Sequence, residues 1–135
     1  MTQIVVPVRY PLSEHSKATL AAAIDIAAER GGSLTVLHIN LYQNGRRVSR
    51  SELKRAVESE FGHLPDTRYS VRSGLLVEET ILDEIASEET DIVVIGKKQA
   101  GRWRKMLQRI TDDPDVETYL RDRVNCEIVT VSPDA

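Results

Sequence analysis

The chain is poor in cysteine and has no long apolar stretch. Its one cysteine among 135 residues is Cys126, which excludes an internal disulfide framework and any Cys-x-x-Cys zinc or redox motif. The segment Met1 to Ile4 lacks the charged region, apolar stretch and cleavage site of a signal peptide. The longest apolar stretch, Leu20 to Ala28, is interrupted by Asp25 and is too short to span a membrane. We therefore expect a cytoplasmic protein.

A large net charge is also missing. The 18 basic and 21 acidic residues give a formal charge of −3, so the molecule as a whole does not attract nucleic acid, and a nucleic-acid partner is not expected. Hydrophobic residues at 41% and charged residues at 29% are ordinary values for a globular protein. The length fits a single domain over residues 1–135, without a linker or an internal repeat.

Strand-like apolar runs alternate with helical patterns along the chain. Ser13 or Ser16 can cap the first helix, which Gly31-Gly32 would end, and Ser49 with Glu52 forms a capping box for the second. This alternation predicts a doubly wound α/β domain with a parallel five-stranded sheet and helices on both faces. The predicted strands are Ile4–Val8, Leu34–Ile39, Arg68–Arg72, Asp91–Gly96 and Cys126–Val131.

Three details of this pattern can be checked against the structure. Pro7 cannot donate to a sheet ladder, but it sits late in its run, where the ladder could end. A short last helix is predicted over Asp115–Asp122. The third helix has apolar residues on one side and acidic residues on the other. The acidic face is expected to be solvated and consists of Glu78, Glu79, Asp83, Glu84 and Glu88.

These segments together resemble the universal stress protein family. The opening run Ile4–Val8 followed by Ser13–Ser16 is similar to the first strand and loop of that family, and Leu34–Ile39 and Asp91–Gly96 are similar to its second and fourth strands. The resemblance extends to the end of the chain, with Val116, Tyr119, Leu120 and the strand Cys126–Val131. It implies the strand order 3-2-1-4-5. Ligands of such sheets bind where the strand order reverses, so the loops after Val8 and Gly96 should form the site.

The signature by which family members bind ATP is largely missing. Arg9–Leu12 replaces the loop that carries an aspartate after the first strand. Gly96 matches the first glycine of the phosphate-binding pattern, but Gln99 takes the place of the second and Gly101 comes two residues late. Pro114-Asp115 stands where the family has Gly-Ser. We therefore expect no cofactor, with ATP disfavoured.

Basic residues follow several strands and could hold an anion instead. The candidate site consists of Arg9, Arg72, Gly96, Lys97, Lys98 and Gly101. The basic segment from Lys97 to Arg109 also contains Trp103, which could stack on a nucleic-acid base. The alternative is a solvated amphipathic helix that docks through Trp103, Met106, Leu107 and Ile110. A second basic cluster, Arg46, Arg47, Arg50, Lys54 and Arg55, leaves the same two interpretations open.

Catalytic and metal-binding patterns are scarce. Ser51 and Lys54 fit a Ser-x-x-Lys pattern without its usual partner motifs. The three histidines lack metal-ligand spacing, and His38 is expected to be satisfied locally within its strand. Cys126 heads an apolar strand and is expected to be an inert thiol. Neither an enzyme nor a metal site is predicted.

Two functions remain in view, besides a disfavoured ATP-hydrolysing enzyme. The first is a non-catalytic, dimeric stress-response or regulatory module with a degraded ATP site. The second is a binding module for a nucleotide or another anion. The last strand should lie at a sheet edge and pair with a second copy, as the resemblance also implies. The expected interface residues are Cys126, Ile128, Val129, Thr130 and Val131.

Overall fold

The computed structural model describes residues 2–87, 89–97, 101, 102, 105 and 126–132. The predicted last helix, Asp115–Asp122, lies outside these residues. None of the described helices is long and apolar enough to cross a membrane. In chain order the elements are β1 (Gln3–Pro7), α1 (Glu14–Arg30), β2 (Ser33–Leu41), α2 (Arg50–Phe61), β3 (Thr67–Gly74), α3 (Val77–Ser87), β4 (Ile92–Gly96) and β5 (Glu127–Val131).

The five strands form one parallel sheet in the order β3-β2-β1-β4-β5. Both the α/β class and this order agree with the prediction. β1 lies in the middle, with Ile4 opposite Leu34 of β2 on one side and Ile92 of β4 on the other. The chain therefore fills one half of the sheet with β2 and β3 before it crosses to the other half.

Pro7 lies where the sheet can accept it. Val8 donates its backbone N–H to the carbonyl of Leu37 on β2, at 2.8 Å. Because successive residues of a strand point their N–H groups to opposite sides, the N–H that Pro7 lacks would face β4. The β1–β4 pairing ends at Val5 and Val93. The predicted compatibility of Pro7 with β1 is thus confirmed.

The helix ends are fixed by the residues that the sequence indicated. Ser13, rather than Ser16, is the N-cap of α1, and its hydroxyl accepts a hydrogen bond from the N–H of Ser16. Gly31 ends the same helix in the left-handed conformation, with φ 60°, which glycine adopts without steric penalty. The capping box at the start of α2 is present in full.

Apolar side chains fill both faces of the sheet. On one face α1 and α2 pack against β1, β2 and β4. On the other face α3 packs through Ile81 and Ile85. β5 contributes Val129 and Val131 to the first face, and Cys126 and Ile128 flank the second. The apolar residues of β5 therefore lie on both faces of the sheet.

The prediction that the acidic face of α3 is solvated is wrong at Glu84. Glu79 and Asp83 are exposed and Glu78 is half-buried, whereas Glu88 lies outside the described residues. The side chain of Glu84 is only 1% exposed, and its carboxylate forms an ion pair with the guanidinium of Arg72 on β3. A carboxylate tolerates such burial when a cation compensates it. Glu84 thus joins α3 to the sheet.

Candidate functional site

The candidate site lies at the carboxyl ends of β1 and β4, where the strand order reverses. These strands pair only through Ile4 and Val5 on β1, and Val8 then bonds to β2 instead. The chain leaves β1 toward Arg9 and leaves β4 toward Lys97, and both residues are exposed. Open α/β sheets bind their ligands at such a position.

The loop after β1 is closed by hydrogen bonds to the start of α1. The backbone N–H of Arg9 donates to Oγ of Ser16 at 2.9 Å. The N–H of Ser16 donates to Oγ of Ser13 at 3.1 Å, and the two hydroxyl oxygens lie 3.2 Å apart. Two hydroxyls and two backbone N–H groups that could otherwise meet a ligand therefore satisfy one another.

On the β4 side, Gly96 leaves space in front of α1. A Cβ added at Gly96 would meet only Oγ1 of Thr19, at 4.0 Å, which is an ordinary van der Waals distance. The buried Thr19 hydroxyl already donates to the carbonyl of His15 at 2.8 Å. No described residue lies within 4 Å of a Cβ placed at Gly101. Packing against the described residues therefore does not require a glycine at either position.

A stack of three side chains covers the neighbouring end of β2. The Tyr10 ring meets the His38 ring edge-on, with 6.2 Å between centroids and an interplanar angle of 64°. The guanidinium carbon of Arg46 lies 5.3 Å from the Tyr10 centroid, within the range of a cation–π interaction. Nδ1 of His38 lies 3.1 Å from the Val8 carbonyl. The local satisfaction of His38 is confirmed, whereas no pattern in the sequence predicts the contacts of its ring with Tyr10 or of Tyr10 with Arg46.

Solved structures show which known fold this arrangement matches, although no family model and no curated protein matches the sequence. Universal stress protein UspA from Lactobacillus plantarum superposes with a TM-score of 0.56, at 19% identity, over 96% of this chain and 97% of its own. A universal stress protein solved in complex with cAMP gives a TM-score of 0.61 at 15% identity, over 98% and 97% of the two chains. A universal stress family protein from Burkholderia pseudomallei gives 0.55 at 12% identity, over 96% and 95%. The chain has the universal stress protein fold.

Within this fold, the predicted anion-site residues are only partly together. Arg9 and Lys97 follow adjacent strands at the reversal point. Arg72 lies on β3, two strands from β1, and its guanidinium contacts Glu84 of α3. The structure therefore places Arg72 apart from Arg9 and Lys97. Lys98 and Trp103 lie outside the described residues, as do the other docking residues predicted for that segment, Met106, Leu107 and Ile110.

The same fold places Cys126 directly before β5, where it is half-buried. Burial, and secondarily the charge of Asp91, raises the pKa of its thiol above the usual value. The neutral thiol is a poor nucleophile and a poor metal ligand. In the part of the chain that the structure describes, no three His, Cys, Asp or Glu side chains are grouped so that they could hold a metal ion.

Proposed function

We propose that this chain is a non-catalytic, dimeric stress-response or regulatory module in which the ATP site of the universal stress protein fold is degraded. The observation that carries the proposal is the closed loop after β1. Its hydrogen bonds between Arg9, Ser13 and Ser16 satisfy the polar groups nearest to the crevice. Tyr10 and Leu12 of the same loop pack against the apolar core. These groups already have partners within the protein, which leaves fewer of them to hold a nucleotide.

Mg-ATP should therefore bind weakly, with a dissociation constant above about 10 μM. Isothermal titration calorimetry of the purified protein measures this directly, and cAMP serves as a second titrant because a protein of this fold was solved with it. Turnover of labelled ATP should not exceed the rate without protein. Tighter binding of either nucleotide would contradict the degraded site, and sustained turnover would contradict the non-catalytic role.

The dimeric part of the proposal rests on β5, which lies at the end of the strand order. The N–H of Glu127 donates to the Asp91 carbonyl at 2.9 Å, so residues 127, 129 and 131 direct their backbone groups toward β4. Ile128 and Thr130 direct theirs outward. Among the described residues no strand continues the sheet beyond β5. A two-fold mate could pair with this edge in an antiparallel and isologous way.

Thr130→Pro should weaken the dimer without unfolding the domain. The substitution removes an outward N–H from the exposed Thr130 and leaves the β4 ladder intact. Val129→Pro is the matched control, because it removes an N–H that faces β4 and should destabilise the fold itself. Analytical ultracentrifugation at micromolar concentration should show a dimer for the unmodified protein and a shift to monomer for Thr130→Pro. A monomeric unmodified protein would contradict dimerisation, and an unaffected variant would contradict the role of β5.

A second candidate function, anion binding in the crevice, is favoured by the exposed cations at the ends of β1 and β4. If Arg9 and Lys97 hold an anion, sulfate should raise the melting temperature more than chloride at equal ionic strength. Arg9→Ala should reduce that difference. Sulfate also stabilises proteins in general through exclusion from their surface, so an undiminished difference in Arg9→Ala would count against a site.

A further inference from the structure

Three large apolar side chains are exposed together at the carboxyl end of β2 and β3. Tyr42 is 59% exposed, Leu75 66% and Leu76 56%; we call them the apolar patch. Tyr42 follows β2 and donates its backbone N–H to the carbonyl of Gly74, the last residue of β3, at 3.0 Å. Gln43 Nε2 donates to the Leu75 carbonyl at 3.2 Å. These bonds hold the two chain segments side by side.

The turn that carries the two leucines is fixed from its other end as well. The hydroxyl of Thr80, a buried residue of α3, donates to the Leu76 carbonyl at 2.7 Å. At Gly74, two residues before Leu76, an added Cβ would clash with the Thr80 hydroxyl, so Thr80 would have to shift. The two leucines are therefore held at the surface by a turn whose backbone carbonyls are hydrogen-bonded on both sides.

A cluster of five exposed cations lies in the loop after Tyr42 and on α2. The loop after Tyr42 turns back on itself, because both backbone groups of Val48 bond to the Asn40 side chain at 3.0 Å. The loop and the first residue of α2 therefore place three of the cations at the carboxyl edge of the sheet, and the other two lie further along α2. Within the described part of the chain, none of them forms an ion pair. The basic cluster consists of Arg46, Arg47, Arg50, Lys54 and Arg55.

The position of the basic cluster is electrostatically unfavourable for the chain alone. Arg46 and Arg47 precede α2 and Arg50 is its first residue, although the N-terminus of a helix carries partial positive charge and disfavours cations. Arg50 and Lys54 are also one turn apart, and like charges at that spacing repel each other. Carboxylates of a partner would relieve both effects.

We propose that the apolar patch and the basic cluster together bind an acidic, amphipathic segment of another protein. Such a segment offers carboxylates to the cations and apolar side chains to Leu75 and Leu76. A nucleic acid would satisfy the cations, but it has no aliphatic groups for the two leucines. The inference builds on the proposed regulatory role, since it names the chemistry of the partner. It shares with the crevice loop only the contact of Arg46 with Tyr10, and neither of these residues is substituted in its test.

Fluorescence anisotropy with a designed peptide tests the proposal. The probe is a fluorescein-labelled helical peptide with leucines at i, i+3, i+4 and i+7 and glutamates elsewhere. It should bind the full chain, and Arg47→Glu with Arg50→Glu should weaken binding by about tenfold or more, with strong salt dependence. Leu75→Ser with Leu76→Ser should also weaken it severalfold. The control, Arg102→Glu with Lys105→Glu, makes the same charge change at two exposed residues elsewhere and should bind normally.

Three results would overturn the proposal. The first is equal binding of a peptide whose leucines are replaced by serine, or of a thymidine oligonucleotide, which would make the surface a general polyanion site. The second is normal peptide binding by the leucine variant. The third is self-association that Leu75→Ser with Leu76→Ser abolishes, since a second copy would then be the occupant. Circular dichroism establishes that each variant is folded, and the ATP and Thr130→Pro measurements judge the proposed function separately.

Discussion

Replacing Arg72 with methionine should lower the free energy of unfolding by about 2–4 kcal/mol, somewhat less than the ~3–5 kcal/mol for breaking a fully buried ion pair from one side, because the Arg72 side chain is 34% exposed. The Glu84 side chain is 1% exposed and lies on the helix face that carries Ile81 and Ile85. Without the guanidinium, its charge loses a compensating cation in an apolar environment. Urea unfolding followed by circular dichroism measures the loss.

Two further variants separate the ion pair from a general effect of removing arginine. Arg9→Met removes an exposed guanidinium and should change stability by no more than about 0.5 kcal/mol. The double variant Arg72→Met, Glu84→Leu should recover most of the stability, because neutral apolar replacements often substitute well for a buried pair. A loss below about 1 kcal/mol in Arg72→Met would mean that the pair does not hold α3 to the sheet.

Replacing Asn40 with alanine should destabilise the domain by about 2–4 kcal/mol, since two buried backbone groups lose their hydrogen bonds. The Asn40 amide accepts from the N–H of Val48 and donates to its carbonyl, both at 3.0 Å. Asn40 is 7% exposed and Val48 5%, so water cannot readily replace the side chain. The same unfolding experiment measures the loss.

The matched control for Asn40→Ala is Gln43→Ala in the same loop. Gln43 makes one exposed hydrogen bond, to the Leu75 carbonyl, and its loss should change stability by less than about 1 kcal/mol. Equal effects of the two substitutions would contradict the view that Asn40 fastens the loop to β2.

The sheet could be predicted because parallel strands that are buried on both faces appear in the sequence as continuous apolar runs. The cleanest example is β4, predicted as Asp91–Gly96 and observed as Ile92–Gly96. β2 was predicted to end at Ile39, because the polar Asn40 interrupts the apolar run. The strand in fact extends to Leu41, and Asn40 is buried within it. Its partner, Val48, lies in the following loop, and a strand pattern carries no information about such a contact.

The contacts of the candidate site were less predictable, because they join segments far apart in the sequence. The motif comparison indicated the loop after β1 as part of the site, but only the structure shows that Tyr10 of this loop meets His38 and Arg46. Arg72 was assigned to the anion site because it ends the predicted third strand. Helical spacing assigned Glu84 to solvent, whereas the structure buries Glu84 and pairs it with Arg72, a contact between segments that neither pattern could indicate.

The central position of β1 has a consequence for synthesis on the ribosome. Ile4 pairs with Leu34 and also with Ile92, so one side of the strand must wait for a segment translated almost ninety residues later. At typical translation rates of roughly 5–20 residues per second, that interval lasts several seconds. During it, the apolar strand Ile4–Val6 can pair on the β2 side while its other edge stays open. Until β4 emerges and closes the middle of the sheet, this unpaired apolar edge is open to pairing with other chains.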